Sequence, residues 1–189
     1  MGWWILLAVI VVLVVFAIMT YNALVVLKHN VALAWSNIDV LLKQRHDELP
    51  KLVETCRQYR QFEQETLEKV IRARSAVHEA RERHDIGALG QAESSLRASL
   101  GGLFAVVEAY PELKSNENFT RLQERITQLE NAISDRREFY NDSANVNNVR
   151  IEQFPTSLLA GMFDFPKARL LHFDRADTAD VDVKKLFAA

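Results

Sequence analysis

Trp3 to Met19 reads WWILLAVIVVLVVFAIM, 17 consecutive apolar residues, and this run decides the fold. At 1.5 Å per residue it makes about 26 Å of helix, close to the thickness of a bilayer's hydrocarbon core. The uncharged ALVVL that follows Asn22 adds margin, and no charged side chain occurs from Met1 to Leu27. A buried core helix could be this apolar in principle, but lipid explains an N-terminal run of this length far better. Trp3 and Trp4 at one end and Tyr21 at the other suit the two bilayer interfaces, with Leu6, Val11, Val14 and Phe16 in the span between them.

A cleaved export signal needs basic residues ahead of the apolar run and a small-residue cleavage site. No Lys or Arg precedes this run, and Ala17, Ile18 and Met19 offer no A-x-A pattern, so residues 1–27 are expected to stay as a single-pass anchor. The nearest basic residue is Lys28, with Lys43 and Arg45 farther along. The positive-inside tendency therefore favours a short N-terminus outside and the rest of the chain in the cytoplasm.

All 23 Lys and Arg and all 25 Asp and Glu lie beyond the anchor, and they nearly cancel to a net charge of −2. A nucleic-acid partner would want a basic surface, so none is expected. Breaker residues divide the remainder. Residues 3–49, 51–86 and 112–154 contain neither proline nor glycine and are rich in Leu, Glu, Arg, Gln and Ala, as long helices are. Leu24, Leu27, Val31, Ala34, Ile38 and Leu41 step by three and four along one helix face, and nothing breaks the chain between this face and the anchor. Asp47 is a candidate cap for a second helix running through Leu49, Leu52, Cys56, Tyr59, Val70 and Val77 to about His84. Asp85 is a candidate cap for a third, with Leu89, Ala92, Leu96, Leu100, Leu103, Val107 and Tyr110 inward.

Pro111 opens a short turn, and Asn116 is positioned to cap a fourth helix. Its inner series is Phe119, Ile126, Ile133, Tyr140, Asn147 and Phe154, spaced by seven, flanked by Leu122 and Leu129 and later by Ala144 and Ile151. At about 39 residues this helix would reach roughly 60 Å, longer than a compact bundle requires. Asn147 is either buried to fix register or solvated. Gly101 and Gly102 within the third helix cost stability, which close approach of a neighbouring helix would justify. The expected class is all-α: an N-terminal transmembrane helix, then an antiparallel long-helix bundle of about four helices with an irregular tail. The segments are anchor 1–27, bundle 28–154 and tail 155–189. The tail, with Leu158, Met162, Phe163 and Phe165 in TSLLAGMFDFPKARLLHF, carries few charges there and ends in an acidic stretch, DRADTADVDV. It reads as a strap over the bundle, with the bilayer surface or a neighbouring copy as alternative contacts.

Catalytic chemistry finds no support. His78 to His84 reads HEARERH, but a zinc-protease helix needs histidine where Glu82 stands. The residues three before the five histidines are Val26, Lys43, Ser75, Arg81 and Arg169, so the E-x-x-H motif of a di-iron bundle is absent and the histidines read as surface residues. Asp39, Asp47 and Glu48 near Arg45 read as surface or capping charges. Arg72, Arg74, Arg81 and Arg83 alternate with Glu68, Glu79 and Glu82 as on a solvated, salt-bridged face. Cys56, the single cysteine, falls at helical spacing among apolar residues and reads as core.

Six strings in order, YNALV (21–25), AWSNIDV (34–40), LPKLVET (49–55), AYPELK (109–114), FYN (139–141) and FPTSLLA (154–160), resemble the bacterial LemA family. The resemblance covers nearly the whole chain from residue 21. The family's second Tyr-Asn pair stands here as Val146–Asn147. The resemblance implies a membrane anchor with a long-helix bundle, a bacterial cytoplasmic membrane location, no catalytic activity and no cofactor. It also suggests a membrane-protein partner, because family members are often encoded near a membrane zinc protease or other membrane proteins. Trp35 and Asp39 lie in the most recognisable string; Trp35 reads as core at a helix crossing, with a partner hot spot as the alternative. The expected function is a non-enzymatic, membrane-anchored scaffold that self-associates into a homo-oligomer. An adaptor or regulator of a membrane protease or signalling kinase is the alternative.

Overall fold

The computed structural model describes residues 2–59 and 62–172. The chain is all-α: α1 (Gly2–Arg57), α2 (Gln64–Glu82), α3 (Ile86–Val107), the single turn α4 (Pro111–Lys114), α5 (Glu117–Glu152) and the short α6 (Thr156–Met162). They form two compact units. One contains residues up to Lys43 together with Leu129–Leu170; the other contains Gln44–Gln128 and continues from Leu171.

In the first unit α1 and α5 run antiparallel, since Leu24 shares a core cluster with Ile151 while Trp35 meets Tyr140. Along this part of α1 the buried apolar residues are Leu24 and then, four apart, Ala34, Ile38 and Leu42, with Leu27 and Val31 half-buried between, and α5 answers with Leu129, Ile133, Tyr140, Ala144 and Asn147. The apolar run at the start of α1 is long enough to cross a membrane, and none of its most apolar window is buried in protein. A core helix of a soluble domain would bury that stretch, so its exposure favours a lipid environment.

In the second unit the end of α1, together with α2, α3 and the start of α5, encloses Leu49, Leu52, Cys56, Leu67, Val70, Val77, Leu89, Leu96, Leu100, Leu103, Phe119 and Ile126. Two expected caps are in place. Asp85 accepts from the backbone N–H of Gly87 and Ala88 at 3.1 and 3.2 Å, and Asn116 Oδ1 accepts from Asn118 and Phe119 at 2.9 and 3.1 Å. Between α1 and α2, Tyr59 holds the α4 turn: its hydroxyl donates to the Glu112 carbonyl at 3.3 Å and accepts from Asn116 Nδ2 at 3.1 Å.

Several expectations are corrected. Asp47 caps nothing, because α1 passes through Pro50 and ends at Arg57, and Tyr59 lies in the turn rather than in a second helix. Pro50 has no N–H for the carbonyl of His46, and Arg74 Nε of α2 donates to that carbonyl instead, at 3.0 Å. Among the described residues Gly101 and Gly102 face open space, where an added Cβ would meet no atom within 4 Å, so none of the described helices approaches them. The close approach is at Gly90, where a Cβ would lie 2.0 Å from the carbonyl oxygen of His172. Phe154 leaves the inner series of α5 and is 81% exposed, because the helix stops at Glu152 before Pro155. The tail is not wholly irregular, since it begins with α6. Its acidic stretch from Asp174 lies outside the described residues.

Candidate functional site

The proposed anchor and interaction residues all fall in the first unit. Trp3, Trp4, Leu6, Val11, Val14 and Phe16 are exposed on α1, and Tyr21 is exposed just beyond the apolar run. Tyr21 meets two rings of the tail edge-on, Phe163 at 4.9 Å and Phe165 at 5.7 Å between centroids. Beneath them Leu24, Ile151 and Ala160 form a buried cluster against which Phe165 packs. The tail is therefore a strap held on the α1–α5 pair, as expected, although its large apolar residues do not all turn inward. Phe154, Leu158, Met162 and Phe163 remain exposed.

Polar contacts fix the strap farther along α5. The Asn148 side chain donates from Nδ2 to the Ala168 carbonyl and accepts from the Ala168 N–H, both at 2.8 Å. Tyr140 donates its hydroxyl to the Arg169 carbonyl at 2.8 Å, and burial pushes its phenol above the ordinary range. Trp35 packs edge-on against Tyr140 at 5.9 Å and is half-buried, in keeping with a helix-crossing role. Asp39 is half-buried and engaged. Asn147 is buried, yet its Oδ1 meets no donor among the described residues. Its burial rules out the solvated reading.

Exposed apolar residues also form a ladder along α1. Ile5, Val12, Met19, Val26, Leu33 and Val40 recur every seven residues, and each is at least half exposed. The first three lie in the apolar run, but Val26, Leu33 and Val40 lie beyond it. Phe139, Val146 and Val149 on α5 are exposed as well.

The second unit holds two charged features that the sequence reading missed. Arg45 pairs with Glu93 of α3, and both side chains are almost fully buried. Each interrupts an apolar series, Ile38, Leu42, Arg45, Leu49 on one helix and Leu89, Glu93, Leu96, Leu100 on the other. Opposite charges at core positions of two helices were the available signal. His46, expected at the surface, is half-buried: Arg74 Nη2 donates to its Nε2 at 2.7 Å, and the His78 ring lies 4.6 Å away. Burial, and then the Arg74 guanidinium, hold its pKa below the ordinary value. Cys56 is enclosed by the core, which pushes its thiol up to about 12. The described residues hold no group of three or more His, Cys, Asp or Glu that could bind a metal ion.

Residues 34–184 match the LemA family, four-fifths of the chain. This chain belongs to the LemA family. Among curated relatives, magnetosome protein MamQ 1 of Paramagnetospirillum magneticum is 24% identical over 90% of this chain and 71% of its own length. MamQ of Magnetospirillum gryphiswaldense is equally similar, at 24% over the same shares. Protein LemA of Metamycoplasma hominis is 27% identical over 81% of this chain and 69% of its own. None of these names denotes a catalysed reaction.

Proposed function

We propose that this LemA-family chain is a non-enzymatic scaffold, anchored by α1 in the bacterial cytoplasmic membrane, that self-associates along the exposed face of α1. The observation that carries this reading is the ladder Val26, Leu33 and Val40, at 56, 62 and 52% exposure, in register with Ile5, Val12 and Met19. Lipid accounts for apolar exposure within the anchor, Val26 included, but not at Leu33 and Val40 farther along the helix. A helix-pairing seam places apolar residues at two positions in each seven; this ladder supplies one of the two. The positions three residues on, His29, Ser36 and Lys43, are polar, so the seam is narrow. Confinement to a bilayer would raise the local concentration that a narrow seam needs. The charge pattern favours an N-terminus outside and the two units in the cytoplasm, with Lys28 nearest the membrane.

The test is light scattering of the full-length protein in mild detergent across a concentration series, with images of the same sample by electron microscopy. Species larger than a monomer are expected, reverting to monomer in Leu33→Glu/Val40→Glu with helicity unchanged. A monomer at every concentration would overturn self-association. The exposed ladder would then be left for a different membrane protein, such as a protease or signalling kinase, to be sought by native co-purification.

A further inference from the structure

α6 is seven residues long and two-faced. Thr156 and Ala160 are buried at 3 and 2%, while Leu158 and Met162 are 64 and 75% exposed. Phe154 before it and Phe163 after it are 81 and 52% exposed, and no charged residue occurs from Phe154 to Phe163. Four large apolar side chains on one short segment need a cover other than water.

Their position says what the cover is. Ala160 sits in the cluster with Leu24, and Phe163 lies against Tyr21. Tyr21 and Leu24 follow Met19, the last residue of the apolar run, by two and five residues. At 1.5 Å per residue these are steps of about 3 and 8 Å along α1, the depth of the headgroup layer. The strap thus holds α6 beside α1 at the level where α1 leaves the hydrocarbon. Interfacial helices bury their apolar face at that boundary.

We propose that α6 is a second membrane contact, with Phe154, Leu158, Met162 and Phe163 inserted among the headgroups and upper acyl chains of the leaflet that α1 exits. This rests on the reading of α1 as a transmembrane anchor. The pairing of Tyr21 with Phe163 then fixes how deeply α6 enters, and the anchor is held at its exit by a surface contact beside it.

The experiment uses the full-length protein, one molecule per nanodisc of phosphatidylcholine and phosphatidylglycerol. A solvatochromic fluorophore is placed singly at Leu158→Cys, Met162→Cys, Val11→Cys or Leu33→Cys. Cys56 stays unlabelled, being fully buried. Lipids carrying a nitroxide high or low on the acyl chain serve as quenchers. The proposal expects blue-shifted emission at 158 and 162 and roughly twofold quenching by the shallow nitroxide, as for a helix face inserted at the interface. Val11 should be quenched by the deep nitroxide and Leu33 by neither. Water-like, unquenched emission at 158 and 162 with Val11 quenched overturns the proposal and leaves the anchor standing. Blue-shifted but unquenched emission there means that protein, not lipid, covers α6, and overturns it equally. Loss of quenching at Val11 shows that α1 does not span the bilayer, and the proposal falls with the anchor.

Discussion

Arg74 of α2 donates from Nε to the carbonyl of His46, the oxygen that Pro50 leaves without a helical partner. Proline in a helix interior removes the bond to the residue four before it and costs about 3 kcal/mol. Here a cation from the neighbouring helix supplies the missing donor, and α1 continues to Arg57. Pro50→Ala restores the helical N–H and makes the Arg74 bond redundant. Arg74→Ala should therefore destabilise the wild type more than it destabilises Pro50→Ala, with a coupling of about 1 kcal/mol. A double-mutant cycle from urea unfolding in detergent measures it, and strictly additive effects would show that the two residues act independently.

The same arginine sets a pH dependence. His46 has its pKa lowered from 6.5, first by burial and then by Arg74, with His78 and Arg81 acting in the same direction and Asp47 against. A histidine whose folded pKa is depressed is neutral in the fold and protonates more readily once unfolded. Its contribution to stability is complete above about pH 6.5 and is lost as pH falls from there toward the folded pKa. Unfolding midpoints measured from pH 8 down to 5 should decline less steeply in His46→Gln than in wild type. Equal slopes would mean that His46 titrates alike in both states.

Arg45 and Glu93 form a buried pair between α1 and α3. Removing one partner strands a charge in the core, so Glu93→Gln or Arg45→Met alone should cost about 3–5 kcal/mol. Replacing both, as Arg45→Met with Glu93→Leu, should recover most of that loss, because packed apolar residues commonly match a buried pair. Chemical denaturation of the three variants decides it. A double variant as weak as either single one would show that the pair has a value apolar packing cannot replace.

Glycine substitutions should act in opposite directions. Gly90→Ala would drive a methyl into the His172 carbonyl and should destabilise by about 1–3 kcal/mol, the usual cost of overpacking. Gly101→Ala and Gly102→Ala meet open space within α3 and should each stabilise by about 0.5–1 kcal/mol through better helix propensity. Thermal midpoints in one detergent compare all three, and a shift of the same sign at every site would contradict the geometry.

What was legible in the sequence was local. The long apolar start of α1 follows from an unbroken apolar run, and the caps Asp85 and Asn116 follow from side-chain type and position. The inner face of α5 from Phe119 to Asn147 follows from spacing. What was not legible depends on residues far apart in the chain. Pro50 looks like a helix end until Arg74 is placed beside His46, and Arg45 looks solvated until Glu93, 48 residues on, is opposite it. Gly90 and Gly101 are identical letters, and only the fold shows which one a backbone approaches. Phe154 keeps the seven-residue period on paper, but the helix that would give the period meaning has already ended.

The strap offers the last prediction. Asn148 satisfies both the N–H and the carbonyl of Ala168, as a neighbouring strand would, and a carboxamide is the smallest group able to do both. Asn148→Ala leaves two backbone groups to find water, which they do by lifting the strap from α5. Tyr140→Phe removes only one bond, to the Arg169 carbonyl, and leaves one backbone acceptor rather than a donor and an acceptor to satisfy. Lys167 and Arg169 flank Ala168, so trypsin reports the lifting directly. Cleavage after either residue should accelerate roughly tenfold in Asn148→Ala, the kinetic equivalent of about 1.4 kcal/mol of lost closure. The effect in Tyr140→Phe should be smaller. Asn148→Asp should not rescue, because a carboxylate accepts from the Ala168 N–H but cannot donate to its carbonyl. Wild-type cleavage rates in Asn148→Ala would show that the Tyr140 bond and the aromatic contacts with Tyr21 hold the strap without Asn148.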